Sequence, residues 1–129
     1  MQERRKYTRL PLELAAEIRL PGGTVVKGRT NNISFGGIFF QSSDLTGFKP
    51  GDRCFLSIIL QEDGERLSID FNCEVIHLQG TGTGLGFISI DGADAYNHFR
   101  NLMVMNSPEP DKLLEELELH PGIILKEQM

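Results

Sequence analysis

From Leu12 to Leu20 the chain alternates without a break. Leu12, Leu14, Ala16, Ile18 and Leu20 fall on one side, and Glu13, Ala15, Glu17 and Arg19 on the other. Side chains on a strand leave on opposite faces with a period of two, so this stretch predicts a half-buried strand. Pro21-Gly22-Gly23 turns the chain, and residues 24–30 return as the second arm of a hairpin. A polar, glycine-bearing bend follows at Asn31–Gly36, and Gly37 to Gln41 forms a short third strand. The apolar run from Arg53 to Leu60 predicts a central fourth strand, and Glu62-Asp63-Gly64-Glu65 a tight turn. Beyond it Leu67, Ile69, Phe71, Cys73 and Val75 alternate with Ser68, Asp70, Asn72 and Glu74, a long strand with one wet face. The glycine-rich run 80–86 reads as a flexible hairpin loop, and Leu85 to Ile90 as the last strand.

The period changes at Asp91. Tyr96, Phe99, Leu102 and Met103 recur at helical spacing and predict an amphipathic helix over about 92–105. Ser107-Pro108 can stop that helix and cap the next. Leu113, Leu114, Leu117 and Leu119 among acidic residues predict a second short helix, ending at His120-Pro121-Gly122, with a frayed tail from Ile123. Six strands at hairpin spacing with no helix between them predict an antiparallel barrel or sandwich.

At 129 residues the chain holds one domain with a real core and is short for two. The net charge of -5 argues against a general nucleic-acid binder, which needs a basic face to neutralise phosphates. Charge is unevenly spread. Residues 1–9 carry Arg4, Arg5, Lys6 and Arg9 against Glu3, a net of +3, while residues 91–129 carry a net of -5. The basic end is the one able to attract an anion. Cys54 and Cys73, both in apolar runs, read as a buried, reduced pair, and the lack of a leader or long apolar span reads as cytoplasmic. No CxxC or His-rich spacing suggests a metal, and no cofactor is expected.

Two separated stretches carry candidate chemistry. In the first, Arg5 and Arg9 stand four apart, with Arg4 beside them. A guanidinium can donate two parallel hydrogen bonds to a phosphate or to the O6 and N7 edge of guanine, and its flat face can stack on a purine. In the second, Asn32 and Ser34 stand two apart, so in extended chain they address one ligand from one face. Gly36 and Gly37 leave the backbone bare, permitting a positive φ and the close approach of a planar group or phosphate. Such residues are also ordinary turn formers.

Arg5-x-x-x-Arg9, followed some twenty residues later by Asn32-x-Ser34-x-x-Gly37, resembles the paired signature of the PilZ domain, RxxxR and (D/N)xSxxG. The alternating strand after the spacer, the Leu-Gly-Phe strand near residue 86 and the aromatic-bearing helix fall in the order of that family. The resemblance implies a mainly β fold, a six-stranded antiparallel β-barrel with a C-terminal α-helix, to which the periodicity adds a short second helix. It implies a bacterial receptor for cyclic di-GMP, bound on the outer barrel surface. Arg5 and Arg9 match the motif arginines that hold guanine edges and phosphates. Asn32, Ser34, Gly36 and Gly37 belong to the second motif, with Asn32 standing where Asp is commoner. An arginine at the Arg4 position often accompanies a stacked ligand dimer in this family. Family members also use a residue on the long penultimate strand, for which His77 is a candidate, although a histidine there is more often satisfied by its neighbours.

The expected organisation is a flexible basic arm over 1–11, a barrel with its first helix over 12–106, and an acidic helix and tail over 107–129. An arm that orders across the barrel on binding would change the surface shown to a protein target, as stand-alone members do in motility or exopolysaccharide regulation. The alternative is a PilZ-like protein-interaction scaffold that binds no nucleotide. Catalysis is not expected, since His77, His98 and His120 are scattered and Ser34 has no base at a recognisable spacing. Nor is a nucleic-acid polymer or a membrane expected as partner, because the wet face of residues 68–74 carries Asp70 and Glu74. A monomer or weak dimer is expected.

Overall fold

The alternation at 12–20 produces β1 (Ala15–Arg19), with Ala16 and Ile18 buried and Ala15 and Arg19 exposed. The computed structural model describes residues 7–45, 47–61, 67–119 and 124–126, with backbone only at Gln61 and 124–126. Pro11 ends regular pairing upstream of β1, and the buried hydroxyl of Thr30 takes over there: it accepts from the Leu14 N–H at 2.9 Å and donates to the Leu12 carbonyl at 2.7 Å. Buried backbone groups must find partners, and here a side chain serves two.

β2 (Val25–Ile33) pairs with β1, and β3 (Gly37–Gln41) pairs with β2 through a bulge at Asn31. The extra residue shifts the phase of the strand, so that Thr30 and Ile33, three apart, are both buried. Asn31 and Asn32 therefore lie within a strand, and the true bend is only Ser34-Phe35-Gly36.

β4 (Arg53–Gln61) joins β1 to β5 (Leu67–Gln79), and β6 (Gly82–Asp91) follows β5. The turn expected at 62–65 lies outside the described residues. Pairing of β3 with β6 closes the antiparallel sheet into the expected six-stranded barrel. The glycine-rich run is strand from Gly82 onward, not a flexible loop; the connection is only Gly80-Thr81, with Gly80 at a φ of 59°. A glycine at the first turn position matches the hairpin turn that follows strand twist.

α1 (Ala93–Met105) lies over one end of the barrel and inserts Phe99. Phe99 meets Phe35, Phe71 and Phe87 edge-on at 5.7, 5.1 and 5.5 Å, while Phe71 and Phe87 stack at 4.2 Å. Edge-to-face rings within such distances gain beyond their burial. Ser107 accepts the Glu109 N–H at 3.0 Å where the chain turns into α2 (Pro110–Leu119). Leu113 and Leu117 bury the inner side of α2. The tail expected to fray instead contributes β7 (Ile124–Lys126), parallel to Ser89–Asp91 of β6 on the edge that β3 leaves unpaired. No helix among the described residues is long and apolar enough to cross a membrane.

Cys54 and Cys73 are paired across β4 and β5, buried and unbonded. Burial, and then the Asp52 carboxylate, pushes the Cys54 thiol up to about 11, and burial raises Cys73 well above its ordinary value. Thiolate, the reactive form, is therefore scarce at both cysteines near pH 8, so a disulfide reagent should modify the native protein slowly and the urea-unfolded chain at once. Fast reaction of the native protein would contradict this burial. Phe99→Ala should lower unfolding stability by about 3–5 kcal/mol in urea titration, as expected for an aromatic removed from a closed core.

Candidate functional site

Barrel closure makes the site. β6 carries glycine at every second position from Gly82 to Gly86, and neighbouring strands fill the space left by the missing side chains. A Cβ on Gly82 would lie 2.2 Å from the Phe39 ring, one on Gly84 2.4 Å from His77 Cε1, and one on Gly86 3.1 Å from Ile76 Cδ1. Phe39 on β3 and His77 on β5 thus lean over β6 from opposite sides, their rings 6.2 Å apart. The result is a shallow cleft of about 200 Å³ on the outside of the barrel.

Arg9, Asn32, Ser34, Gly36 and Gly37 all line this cleft, together with Phe39, Ile76 and His77. Two stretches more than twenty residues apart in sequence therefore share one wall. What joins them is a backbone bridge: the Leu10 N–H donates to the Ile33 carbonyl at 2.7 Å, and the Ile33 N–H to the Leu10 carbonyl at 2.9 Å. Arg9 and Asn32 are the residues next to that bridge. Arg4 and Arg5 lie outside the described residues.

Ser34 and the two glycines act mainly on the bend itself. The Ser34 hydroxyl accepts from the N–H groups of Gly36 and Gly37 at 3.1 and 3.2 Å, and the Ser34 N–H donates to the Gly37 carbonyl at 2.9 Å. Neither glycine has a positive φ, so the conformational freedom expected of them is not what the bend uses. Room is what it uses. A Cβ on Gly37 would stand 2.1 Å from the Leu85 carbonyl oxygen, and one on Gly36 2.7 Å from the Tyr7 ring.

The expected flexible arm is packed where it is described. Tyr7 lies against Gly36 and is partly buried, which raises its phenol above the ordinary value; Leu10 is in the core. The Thr8 N–H and hydroxyl both donate to the carboxylate of Glu116, at 2.7 and 2.5 Å. Tyr7 and Leu10 offset the ordering entropy of this part of the arm.

Among the described residues no acidic side chain lines the cleft, and no group of three or more His, Cys, Asp or Glu could hold a metal. Arg9 is the one charged lining residue among those described. The wall therefore offers a guanidinium, an amide, apolar ring faces and bare backbone, a set suited to a flat, hydrogen-bonding, anionic ligand. Phe39, Ile76, Gly84 and Gly86 were not singled out by sequence; the glycines at alternate positions were the available signal, hidden by their usual meaning as loop formers.

The PilZ domain family model matches residues 3–104. This chain belongs to the PilZ domain family. PilZ domains are regulatory binding modules rather than enzymes. Among solved structures, the Bacillus subtilis inhibitor of motility, MotI/DgrA, is similar at a TM-score of 0.60 and 24% identity, over 74% of this chain and 48% of that one. The chain thus spans about half the length of that PilZ relative. The PilZ domain of CeSA from a cellulose-synthesising bacterium is similar at a TM-score of 0.56 and 21% identity, over 74% of this chain and 93% of that one. At these identities the likeness is one of fold. No curated protein matches the chain.

The two kinds of glycine separate in a stability measurement. Gly37→Ala sets a Cβ against a backbone carbonyl that cannot swing away, and should cost about 1–3 kcal/mol in urea unfolding. Gly84→Ala meets only the far end of the exposed His77 side chain, which can rotate, and should cost less than about 1 kcal/mol. Equal costs would contradict the difference between closure and cleft.

Proposed function

We propose that this protein is a bacterial cyclic di-GMP receptor and adaptor, which holds the dinucleotide between its arginine arm and the outer barrel cleft and signals to a protein target. The observation that carries this reading is the convergence of Arg9 with Asn32, Ser34, Gly36 and Gly37 on one cleft lined by Phe39 and His77. Family membership supplies the ligand class. A guanine base can lie against the Phe39 and His77 rings that cover β6, with its edge toward Asn32, while Arg9 meets a phosphate or the O6 and N7 edge. Arg4 and Arg5, a few residues upstream, extend the same chemistry and give Arg4 its place beside a second, stacked ligand.

Size favours an arm that covers its ligand. Sites that enclose a drug-sized molecule run to about 300–1,000 Å³, and this cleft holds about 200 Å³. A cyclic dinucleotide seated there would stand out of the surface, within reach of the arm. Its exposed side and the reordered arm together form the face a partner reads. On this reading the protein works in the cytoplasm without catalysis, cofactor or metal, and its output is motility or exopolysaccharide control.

In calorimetric titration with cyclic di-GMP, Arg9→Ala and Arg5→Ala should each weaken binding by about 10- to 100-fold, the loss of one bidentate guanine contact. Lys6→Ala, which removes only a screened charge, should change affinity less than threefold, in line with exposed charges worth under about 1 kcal/mol. If Lys6→Ala costs as much as Arg9→Ala, the attraction is general electrostatics and the specific site is wrong. No binding by the wild-type chain would favour the scaffold that binds protein alone.

A further inference from the structure

Glu116 reaches the arm from the far end of the chain, 108 residues from its partner. Both of its carboxylate oxygens are used on Thr8, one by the backbone N–H and one by the hydroxyl. Hydrogen bonds to an ionised acceptor are about twice as strong as neutral ones, and two on one residue fix orientation as well as distance. Thr8 is the residue immediately before Arg9 and the third after Arg5, so the grip falls inside the arginine motif. Helix α2 can bear the load because Leu113 and Leu117 anchor it in the core.

α2 begins at Pro110, beyond the span 3–104 that matches the PilZ model. The hold on the arm therefore belongs to this chain's own C-terminal segment rather than to the domain it extends. We infer that Glu116 is a positioning residue for nucleotide binding: α2 clasps Thr8 so that Arg9 stands ready at the cleft, an inference that rests on the cyclic di-GMP reading of that cleft. Every residue ordered at binding subtracts from affinity, and the clasp has ordered Thr8 and Arg9 beforehand. The coupling is reciprocal: whatever affinity the ligand gains from a docked α2, α2 gains in docking from the ligand. Occupancy of the cleft is thereby felt at α2.

The test uses the full chain with Glu116→Ala, Glu116→Gln and Thr8→Val. Glutamine keeps the geometry and drops the charge, since its carbonyl oxygen accepts the Thr8 N–H and its amide donates to the hydroxyl. Amide hydrogen exchange without nucleotide comes first. Glu116→Ala should speed exchange at Thr8 about tenfold or more and leave Leu10 and Ile33 protected, while Glu116→Gln keeps Thr8 protected. Calorimetry with cyclic di-GMP comes second. Glu116→Ala should weaken binding about tenfold, within the usual range of coupling between sites, with Glu116→Gln within threefold of wild type. Thr8→Val, which leaves α2 untouched, should lose part of that affinity, and the Thr8→Val/Glu116→Ala pair should bind no worse than Glu116→Ala alone.

Unchanged exchange at Thr8 in Glu116→Ala overturns the clasp. Faster exchange with unchanged affinity overturns the positioning role, and so does tighter binding by both Glu116 variants, which would mark the carboxylate as a repulsive charge. Wild-type protein that binds no dinucleotide yet shows the expected exchange pattern leaves the clasp standing and removes the nucleotide reading of the cleft.

Discussion

The structure depends on one backbone approach, that of β3 to β6 at Gly37. The Gly37–Gly86 and Ile38–Leu85 pairs close the barrel, and the Leu85 carbonyl occupies the space where any side chain on Gly37 would begin. Without that contact the sheet has two open edges, and a sheet edge is a row of unsatisfied backbone groups. With it, the bend Ser34-Phe35-Gly36 is held against β6, through the Phe87 N–H donating to the Gly36 carbonyl at 2.9 Å. Phe35 is then placed in the aromatic cluster around Phe99, so α1 and the bend are packed on a common core. Closure at Gly37 and the cleft beside Gly82, Gly84 and Gly86 thus lie along one pair of strands, each using a different set of missing Cβ atoms.

The cleft in turn draws together parts of the chain that are distant in sequence and opposite in charge. Residues 1–9 are basic and residues 91–129 acidic, and the Thr8–Glu116 contact is where the two ends meet. The acidic side chain there is engaged by hydroxyl and amide donors of the arm, which keeps a carboxylate out of the cleft lining while using it to hold the arm. The wall of the cleft and the C-terminal helix thus meet at Thr8, next to Arg9, the arrangement the proposed receptor role would use.

Periodicity made much of this legible. The alternation at 12–20 and 67–75 and the helical spacing of Tyr96, Phe99, Leu102 and Met103 report burial directly, and burial decided the elements. Asn32, Ser34 and Gly37 were visible as a motif, but the bulge at Asn31 and the use of the Ser34 hydroxyl inside the bend depend on pairing across strands that no local window contains. Residues 82–84 were misread because glycine normally breaks a strand, whereas here the Phe39 and His77 rings need its empty face. β7 is three residues long and carries no period to read. Glu116 is one of several acidic residues among the leucines of the second helix, and only the fold supplies its partner. The arm was read as loose because its charges dominate the composition, while Tyr7 and Leu10 determine the packing.

The most direct measurement is nuclear magnetic resonance mapping of the labelled full chain during titration with cyclic di-GMP, with cyclic di-AMP as control. The account predicts saturable shifts at the amides of Arg9, Asn32, Gly36, Gly84 and Gly86 with the guanine dinucleotide, little response to the adenine one, and quiet amides at Arg19, Val25 and Phe55 on β1, β2 and β4. Shifts centred on those three residues, or an equal response to both dinucleotides, would contradict the claim that this cleft is a guanine dinucleotide site.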